Sequence, residues 1–278
     1  MRAVCKLSGG GALDGQVLGA EAGGVVVGCE DAKLVNQRVV FFDLGGFAEY
    51  SLVPMSRLVP VPDDVELPTA LALTTMGLTA HYLCKSIGKL QPGNRVLVHA
   101  AGSGTGSLVA QVASNVFGCQ VVGTCSPAKV GNVPLPPTQV VPSYTDVDRI
   151  LASLGTGQDK FDVVFDGVGK DTFQTSLHCC KPRGLVCFFG NASGPVPLID
   201  PLKDLNGNGS LFVTRPKLGD YVATHEELLE RSKEVFTWLE SGQLKLAAPK
   251  VFDKLDSVQE ALEYVKQRKA TSKVVIRI

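Results

Sequence analysis

The sequence has no excess of either charge and no long apolar run. Basic and acidic residues number 27 each in 278 residues, so the net charge gives no reason to expect binding to nucleic acid or to an anionic membrane. No apolar stretch approaches the roughly 18 to 20 residues that span a bilayer, and residues 1–6 lack the apolar core of a secretion signal. These absences predict a soluble cytoplasmic protein that binds neither nucleic acid nor a membrane.

The eight cysteines form no recognisable pattern of paired or metal-binding residues. No C-x-x-C motif occurs, and the cysteines are scattered through aliphatic runs, which favours reduced thiols in the cytosol. The adjacent Cys179 and Cys180 could be redox-active, but neighbouring cysteines rarely close a disulfide with acceptable geometry. We expect both to pack in the core, together with His81 and His99, which lie in apolar elements.

From Gln91 onward, short apolar runs alternate with amphipathic stretches, which is typical of βαβ units around a parallel sheet. Strands are predicted at 95–100, 120–124, 161–166, 184–189 and 209–214, and helices at 107–117 and 171–180. Four prolines within 132–142 indicate that the helix after the second strand is shortened or lost. This part of the chain is therefore predicted to be an α/β, doubly wound domain.

The two ends of the sequence have a different pattern. Residues 1 to about 75 contain strand-like runs at 24–27 and 38–42 and no long helical pattern, so they are predicted to form a small β-domain. An amphipathic helix is predicted over 224–241, with Thr224 as its N-cap and acidic residues in the first turn. A second helix over 257–269 and a last strand over 273–278 follow.

The sequence AAGSGTG at residues 100–106 lies directly between a predicted strand and a predicted helix. In this context glycines let the backbone turn tightly and approach a pyrophosphate, which the free N–H groups at the helix start receive. A tight turn without a ligand is the alternative. Ser103 is compatible with such a loop only if its φ stays negative.

The end of the second strand carries no carboxylate. NAD-binding domains place an Asp or Glu there, about twenty residues beyond the glycine loop, to bind the ribose 2′-hydroxyl. Here Thr124, Cys125 and Ser126 occupy the position, and Lys129 follows. A 2′-phosphate would meet no repulsion, so NADP is favoured over NAD, unless Lys129 is an ordinary solvated lysine.

Several longer strings resemble the quinone oxidoreductase (zeta-crystallin-like) branch of the medium-chain dehydrogenases/reductases. They are GFAEY at 46–50, MGLTAH at 76–81, GVGKDTF at 167–173, FGNASGP at 189–195 and LFVTRP at 211–216. The resemblance runs nearly continuously from Gly19 to the C-terminus. It implies a Rossmann NADPH-binding domain over 79–218 and a smaller GroES-like β-domain formed by 1–78 and 219–278, which meet at a cleft.

The resemblance also implies the cofactor-binding residues. It places Gly102, Ser103, Gly104, Thr105 and Thr79 around the pyrophosphate. It places Ser126, Lys129, Tyr144 and Arg268 near the adenosine 2′-phosphate, although the alignment around Lys129 needs a one-residue gap. It places Gly167, Val168, Phe189, Gly190 and Ser193 along the nicotinamide.

The residues that bind zinc in the alcohol dehydrogenases of the same superfamily are not present. Their Gly-His-Glu corresponds to Gly19, Ala20 and Glu21, and alanine cannot coordinate zinc. No metal is therefore predicted, and Glu21 is expected to be structural. The resemblance implies no single essential acid or base, so no catalytic side chain is predicted. The implied acceptor is a quinone or enone, which takes hydride without strong polarisation.

The resemblance implies a shortened β-domain, because the family has a long β-rich stretch after its opening strand, whereas here only a short glycine-rich link joins residues 1–4 to residues 18–21. One wall of the cleft would then be open, apolar surface would be exposed, and turnover would be reduced. A homodimer is expected through an edge strand near 211–214. Two other functions remain open: a non-catalytic NADPH-binding protein with a crystallin-like, RNA-binding or regulatory role, and an enoyl-thioester reductase.

Overall fold

The computed structural model describes residues 19–155, 160–267 and 270–278, and the backbone of three strands within residues 2–17. The chain forms two compact units. The first comprises Met1–Leu78, Tyr221–Thr237 and Leu246–Ile278, and the second comprises Thr79–Asp220 and Trp238–Lys245. Within the described residues, every helix is too short or too polar to cross a bilayer.

The first unit contains a five-stranded antiparallel sheet, as its β-rich sequence predicts. Its strands are β1 (Arg2–Leu7), β4 (Ala22–Cys29), β5 (Arg38–Phe41), β6 (Tyr50–Pro54) and β7 (Leu58–Pro60), in the order β6-β1-β4-β5-β7. Two shorter strands, β2 (Ala12–Leu13) and β3 (Gln16–Val17), pair with each other. One core cluster joins the strands and consists of Ala22, Val26, Val39, Phe41, Val53 and Leu58.

The prediction that residues up to about 75 hold no long helix is wrong. Helix α1 (Leu67–Tyr82) begins within this segment. Its sequence, LPTALALTTMGLTAHY, is apolar around most of its circumference, and residues 70–74 and 77–82 are buried. A helix that is buried on all sides shows no amphipathic period, so the pattern that identifies surface helices was absent.

Apolar side chains are exposed on the first unit, as expected for the shortened β-domain. In the β-sheet segment of this unit, residues 19–66, the large apolar side chains with more than a third of their surface exposed are Val25, Val27, Leu44, Tyr50 and Leu52. The shortening itself stays a prediction, because the side chains of the link to Gly19 lie outside the described residues.

The C-terminal part of the chain forms α5 (His225–Glu240), β14 (Lys250–Asp253), α6 (Val258–Lys266) and β15 (Val274–Arg277). The predicted N-cap of α5 is confirmed. Thr224 Oγ1 accepts a hydrogen bond from Glu227 N at 3.2 Å, and Glu227 Oε2 accepts one from Thr224 N at 3.1 Å. This reciprocal pair satisfies two backbone donors where the helix begins.

The second unit contains a six-stranded parallel sheet. Its strands are β8 (Arg95–His99), β9 (Gln120–Thr124), β10 (Val140–Val141), β11 (Phe161–Asp166), β12 (Cys180–Phe188) and β13 (Phe212–Thr214). Their order, β10-β9-β8-β11-β12-β13, is 3-2-1-4-5-6 in chain order. This order is that of the Rossmann fold, so the predicted doubly wound α/β class is confirmed.

Helix boundaries in this unit differ from the sequence prediction. Helix α2 (Gly104–Gln111) begins three residues before the predicted start, because Ser103 caps it, and a π-helical turn continues it over Val112–Val116. Helix α4 (Phe173–Cys179) leads directly into β12. No α-helix forms between β9 and β10: these residues, all of them described, contain only the 3₁₀ turns Pro127–Asn132 and Pro137–Gln139, as the prolines predict. Helix α3 (Val147–Ala152) follows these turns.

An ion pair ties the C-terminal strand β15 into the first unit. Lys273 Nζ contacts Glu21 Oε1, and the two side chains are only 16% and 17% exposed. The second oxygen of Glu21 accepts hydrogen bonds from Thr75 N at 3.2 Å and from Thr75 Oγ1 at 2.6 Å. Glu21 therefore joins β4, α1 and the residue before β15, which supports its expected structural role.

Replacement of Lys273 by methionine should lower the free energy of unfolding by about 2 kcal/mol. This loss lies between those expected on breaking an exposed ion pair and a fully buried one. The substitution leaves the Glu21 carboxylate partly buried without its counter-ion. Urea unfolding measures the loss. Lys266→Met is the control, because its pair with Glu263 is 68% and 45% exposed. Equal losses in the two variants would contradict this role of the buried pair.

Candidate cofactor site

The predicted site residues of the second unit cluster at the carboxyl ends of its parallel strands. The chain proceeds outward from β8 to β9 and β10 on one side, and from β11 to β12 and β13 on the other. The neighbours β8 and β11 therefore form the switch point, where open α/β sheets bind ligands. The loops that follow β8, β9, β11 and β12 all leave this edge.

The glycine loop after β8 has no room for a side chain at Gly106 and little at Gly102. Ala100 has a positive φ of 61°, and a Cβ atom at Gly106 would collide with the carbonyl oxygen of Ala100. A Cβ atom at Gly102 would lie 3.0 Å from both Cβ and O of Lys129. The loop is therefore shaped by residues that cannot carry a side chain.

Ser103 ends this loop as the N-cap of α2. Its φ is −98°, so the condition set by the sequence is met, and its Oγ accepts a hydrogen bond from Gly106 N at 3.2 Å. The helix ladder begins with Ser107 N donating to Ser103 O. The N–H groups of Gly104 and Thr105 precede that bond and face out of the helix start. There they are placed to donate hydrogen bonds to an anion.

The turn after β9 brings Ser126 and Lys129, two of the other predicted phosphate ligands, to the glycine loop. Lys129 N donates to Ser126 O at 2.9 Å in a 3₁₀ turn, and this turn places Lys129 against Gly102. The ring centroid of Tyr144 lies 6.4 Å from that of His99, at the end of β8. Arg268 lies outside the described residues.

The loops after β11 and β12 interlock. A Cβ atom at Gly190 would lie 2.5 Å from Gly167 O, and one at Gly167 would lie 2.9 Å from the Phe189 ring. Val168 O accepts hydrogen bonds from Ser193 N at 2.8 Å and from Ser193 Oγ at 2.9 Å. The structure thus brings the five residues predicted along the nicotinamide into one continuous surface.

Thr79 is the predicted residue that the structure does not join to this cluster. It lies near the end of α1 and is buried, at 9% exposure. No described contact links it to the glycine loop, so its assignment to the pyrophosphate rests on the resemblance.

Asp166, the last residue of β11, was missed by the sequence analysis. Its carboxylate is fully buried and accepts four hydrogen bonds, which come from Val168 N, Gly169 N, Thr172 Oγ1 and Ser176 Oγ. An aspartate that ends an apolar run was the signal in the sequence, because a buried charge needs several donors.

His99 lies next to Asp166 in the strand register and is fully buried. Its Nδ1 lies 2.7 Å from Thr124 Oγ1. Burial lowers the pKa of His99, and the Asp166 charge opposes this shift. The imidazole is therefore neutral at pH 7, which agrees with its predicted place in the core.

The remaining histidine and cysteine predictions are also confirmed as packing. His81 is buried and stacks on Trp238, with ring centroids 5.2 Å apart. Cys179 and Cys180 are both fully buried, and burial raises the pKa of each thiol to about 12. A buried thiol with a raised pKa is a poor nucleophile, so a redox role is not supported.

The position that corresponds to the zinc-binding histidine carries no metal donor. Ala20, at the position of the zinc-binding histidine, is exposed, and Glu21 is engaged by Lys273 and Thr75. Within residues 19–155, 160–267 and 270–278, no three His, Cys, Asp or Glu side chains are grouped so that they could hold a metal ion.

Comparison with known proteins agrees with this geometry. A family model described as zinc-binding dehydrogenase matches residues 138–276, which is half of the chain. The chain is 36% identical over 267 residues to a quinone oxidoreductase of Pseudomonas aeruginosa, covering 93% of this chain and 81% of that protein. It is 34% identical to a 2-haloacrylate reductase of Burkholderia sp, covering 84% of this chain and 71% of that protein.

Solved structures give the same relationship. The Escherichia coli quinone oxidoreductase complexed with NADPH aligns with a TM-score of 0.88 at 29% identity, and the alignment covers 100% of this chain and 91% of that one. Sequence identity, coverage and fold therefore point to one family. The chain belongs to the quinone oxidoreductase family of the medium-chain dehydrogenases/reductases.

Proposed function

We propose that this chain is an NADPH-dependent oxidoreductase that transfers hydride to quinones or similar α,β-unsaturated carbonyls without a metal. The observation that carries the proposal is the loop over residues 100–106. Its backbone turns where no side chain fits, and it directs the N–H groups of Gly104 and Thr105 away from the start of α2. This arrangement suits a pyrophosphate at the switch point of a Rossmann sheet.

The preference for NADPH rests on the end of β9. Thr124 and Cys125 are buried there, and neither they nor Ser126 carries a charge that would repel a 2′-phosphate. Cβ and O of Lys129 lie against Gly102, and the residue is only partly exposed, which supports the proposal that its ammonium group binds that phosphate. Tyr144 is the other described residue of the proposed 2′-phosphate site, and the assignment of Arg268 stays a prediction from the resemblance.

When it is bound, the nicotinamide supplies the hydride chemistry. The protein's residues bind and orient it. The helix start at Gly104 would hold the pyrophosphate, and the interlocked loops after β11 and β12 would line the nicotinamide with Val168 and Phe189. No side chain is assigned as a general acid or base, because orientation alone contributes a large part of such a rate enhancement.

The proposed class of hydride acceptor follows from Ala20, which stands where the zinc-binding relatives have a histidine ligand. Without a Lewis acid, the acceptor must already be activated by conjugation. Quinones and 2-haloacrylate, the compounds named for the relatives, both contain a carbon–carbon double bond conjugated to a carbonyl group. No described feature favours an enoyl thioester or a non-catalytic role.

A homodimer formed through β13 is also proposed. This strand is at the edge of the six-stranded sheet, and Phe212 on it is 65% exposed. Leu198 and Leu202, from the segment before it, are 99% and 78% exposed. An edge strand bordered by exposed apolar side chains is stabilised by pairing with a second copy.

A cytoplasmic location is proposed because each described cysteine is unpaired.

Incubation with NADPH and 9,10-phenanthrenequinone or 1,2-naphthoquinone should give quinone-dependent NADPH oxidation, measured by absorbance. The rate should be well below that of the Pseudomonas aeruginosa relative under the same conditions, because a shortened β-domain orients the acceptor less well. A binding titration should give micromolar-class affinity for NADPH. Binding without turnover would favour a non-catalytic role, and absence of binding would refute the proposal.

Replacement of Lys129 by alanine should weaken NADPH binding by about 1 to 2 kcal/mol, because a charge-assisted hydrogen bond to the 2′-phosphate is lost. The affinity for NADH should not change, and wild-type protein should bind NADPH more tightly than NADH. Fluorescence titration gives all these dissociation constants. Lys217→Ala is the control, since Lys217 is exposed and pairs with Asp220. Equal weakening of both cofactors by Lys129→Ala would exclude a 2′-phosphate contact.

Purified protein should contain no stoichiometric zinc and should keep its fold and activity in a chelator. Elemental analysis and thermal unfolding with and without the chelator provide the measurement. Detection of one tightly held zinc per chain would show that the metal-binding positions have been misidentified.

A further inference from the structure

The interlocked loops after β11 and β12 share one anchor, Asp166. Its Oδ1 accepts hydrogen bonds from Val168 N at 2.7 Å and from Gly169 N at 3.0 Å. Its Oδ2 accepts from Thr172 Oγ1 at 2.7 Å and from Ser176 Oγ at 2.6 Å. A carboxylate has about four acceptor positions, which is the number of donors that Asp166 receives.

The main chain of Asp166 holds the second loop. Its carbonyl oxygen accepts hydrogen bonds from Phe189 N at 2.9 Å and from Gly190 N at 3.2 Å. One residue therefore fixes both loops, the first through its side chain and the second through its backbone. A displacement of Asp166 would move the two loops together.

The charge of Asp166 strengthens this arrangement. The side chain is fully buried, and hydrogen bonds to an ionised acceptor in such a place are shorter and stronger than those to a neutral one. Without this acceptor, the N–H groups of Val168 and Gly169 would lose their partners in a buried loop, and the loop would have to shift to recover them.

We propose that Asp166 is a positioning residue for hydride transfer: it holds Val168 and Phe189 in the geometry that orients the nicotinamide ring. This inference rests on the function proposed above. The carboxylate itself touches no reacting atom, because its donors enclose it and no part of it is exposed. Its effect on the reaction is exerted through the two loops.

Two substitutions test this role. Asp166→Ala removes the acceptor, and kcat at saturating NADPH and 9,10-phenanthrenequinone should fall by about tenfold or more, as expected when orientation is lost. Asp166→Asn keeps an oxygen for Val168 N and Gly169 N, so its loss should be smaller, about threefold. The order of the two losses is itself a signature of the proposed hydrogen bonds.

Binding of 2′,5′-ADP separates positioning from a general structural role, because this compound carries the adenosine half of the cofactor and no nicotinamide. Its dissociation constant should stay within about twofold in both variants, with one molecule bound per folded chain. The matched control is Asp162→Asn, on the same strand. Asp162 accepts from Arg95 N and pairs with Lys181, away from the loops, so kcat should be unchanged.

The outcomes distinguish the two proposals. Wild-type kcat in Asp166→Ala, or a parallel loss of 2′,5′-ADP binding, would overturn the positioning role and leave the proposed function intact. If Asp166→Ala does not fold, Asp166→Asn and Ser176→Ala replace it in the test. A lower kcat with normal 2′,5′-ADP binding in these variants supports the positioning role. A normal kcat in both variants overturns it. Wild-type protein without NADPH oxidation would overturn the proposed function and the positioning role with it.

Discussion

Ala100 O and the α-carbon of Gly106 approach so closely that no side chain fits between them, and the proposed cofactor site depends on this contact. It turns the chain from the end of β8 directly into α2, so that Ser103 caps the helix and the N–H groups of Gly104 and Thr105 face outward. A wider turn would displace the helix start from the sheet edge. The donors for an anion are thus in place before a ligand arrives, which reduces the entropy lost on binding.

Below these loops, the ends of three neighbouring strands carry a buried row of polar side chains. Thr124, His99 and Asp166 lie side by side in the strand register. His99 is neutral and contacts Thr124, whereas Asp166 is satisfied by four donors from the loop that follows it and from α4. The row fixes the ends of β9, β8 and β11, which lead to the 2′-phosphate, pyrophosphate and nicotinamide parts of the proposed site. Rigid support of this kind keeps a binding site in its productive geometry.

The sequence predicted five of the six strands of the parallel sheet because each of them is a short apolar run between turns, whereas the two-residue strand β10 was not predicted. It predicted the cofactor loop because glycine, serine and threonine have specific roles at a strand-to-helix turn. It did not predict α1, whose apolar residues cover most of its circumference. It placed the start of α2 three residues late because the capping role of Ser103 was not considered. Asp166 was missed because its four donors include two backbone groups and two hydroxyls that only the folded loop brings together.

A crystal structure of the protein soaked with NADPH tests the central claim most directly. The account predicts the pyrophosphate against the N–H groups of Gly104 and Thr105, the 2′-phosphate beside Lys129, and the nicotinamide along Val168 and Phe189. NADPH bound elsewhere, or bound with its 2′-phosphate remote from Lys129, would contradict it.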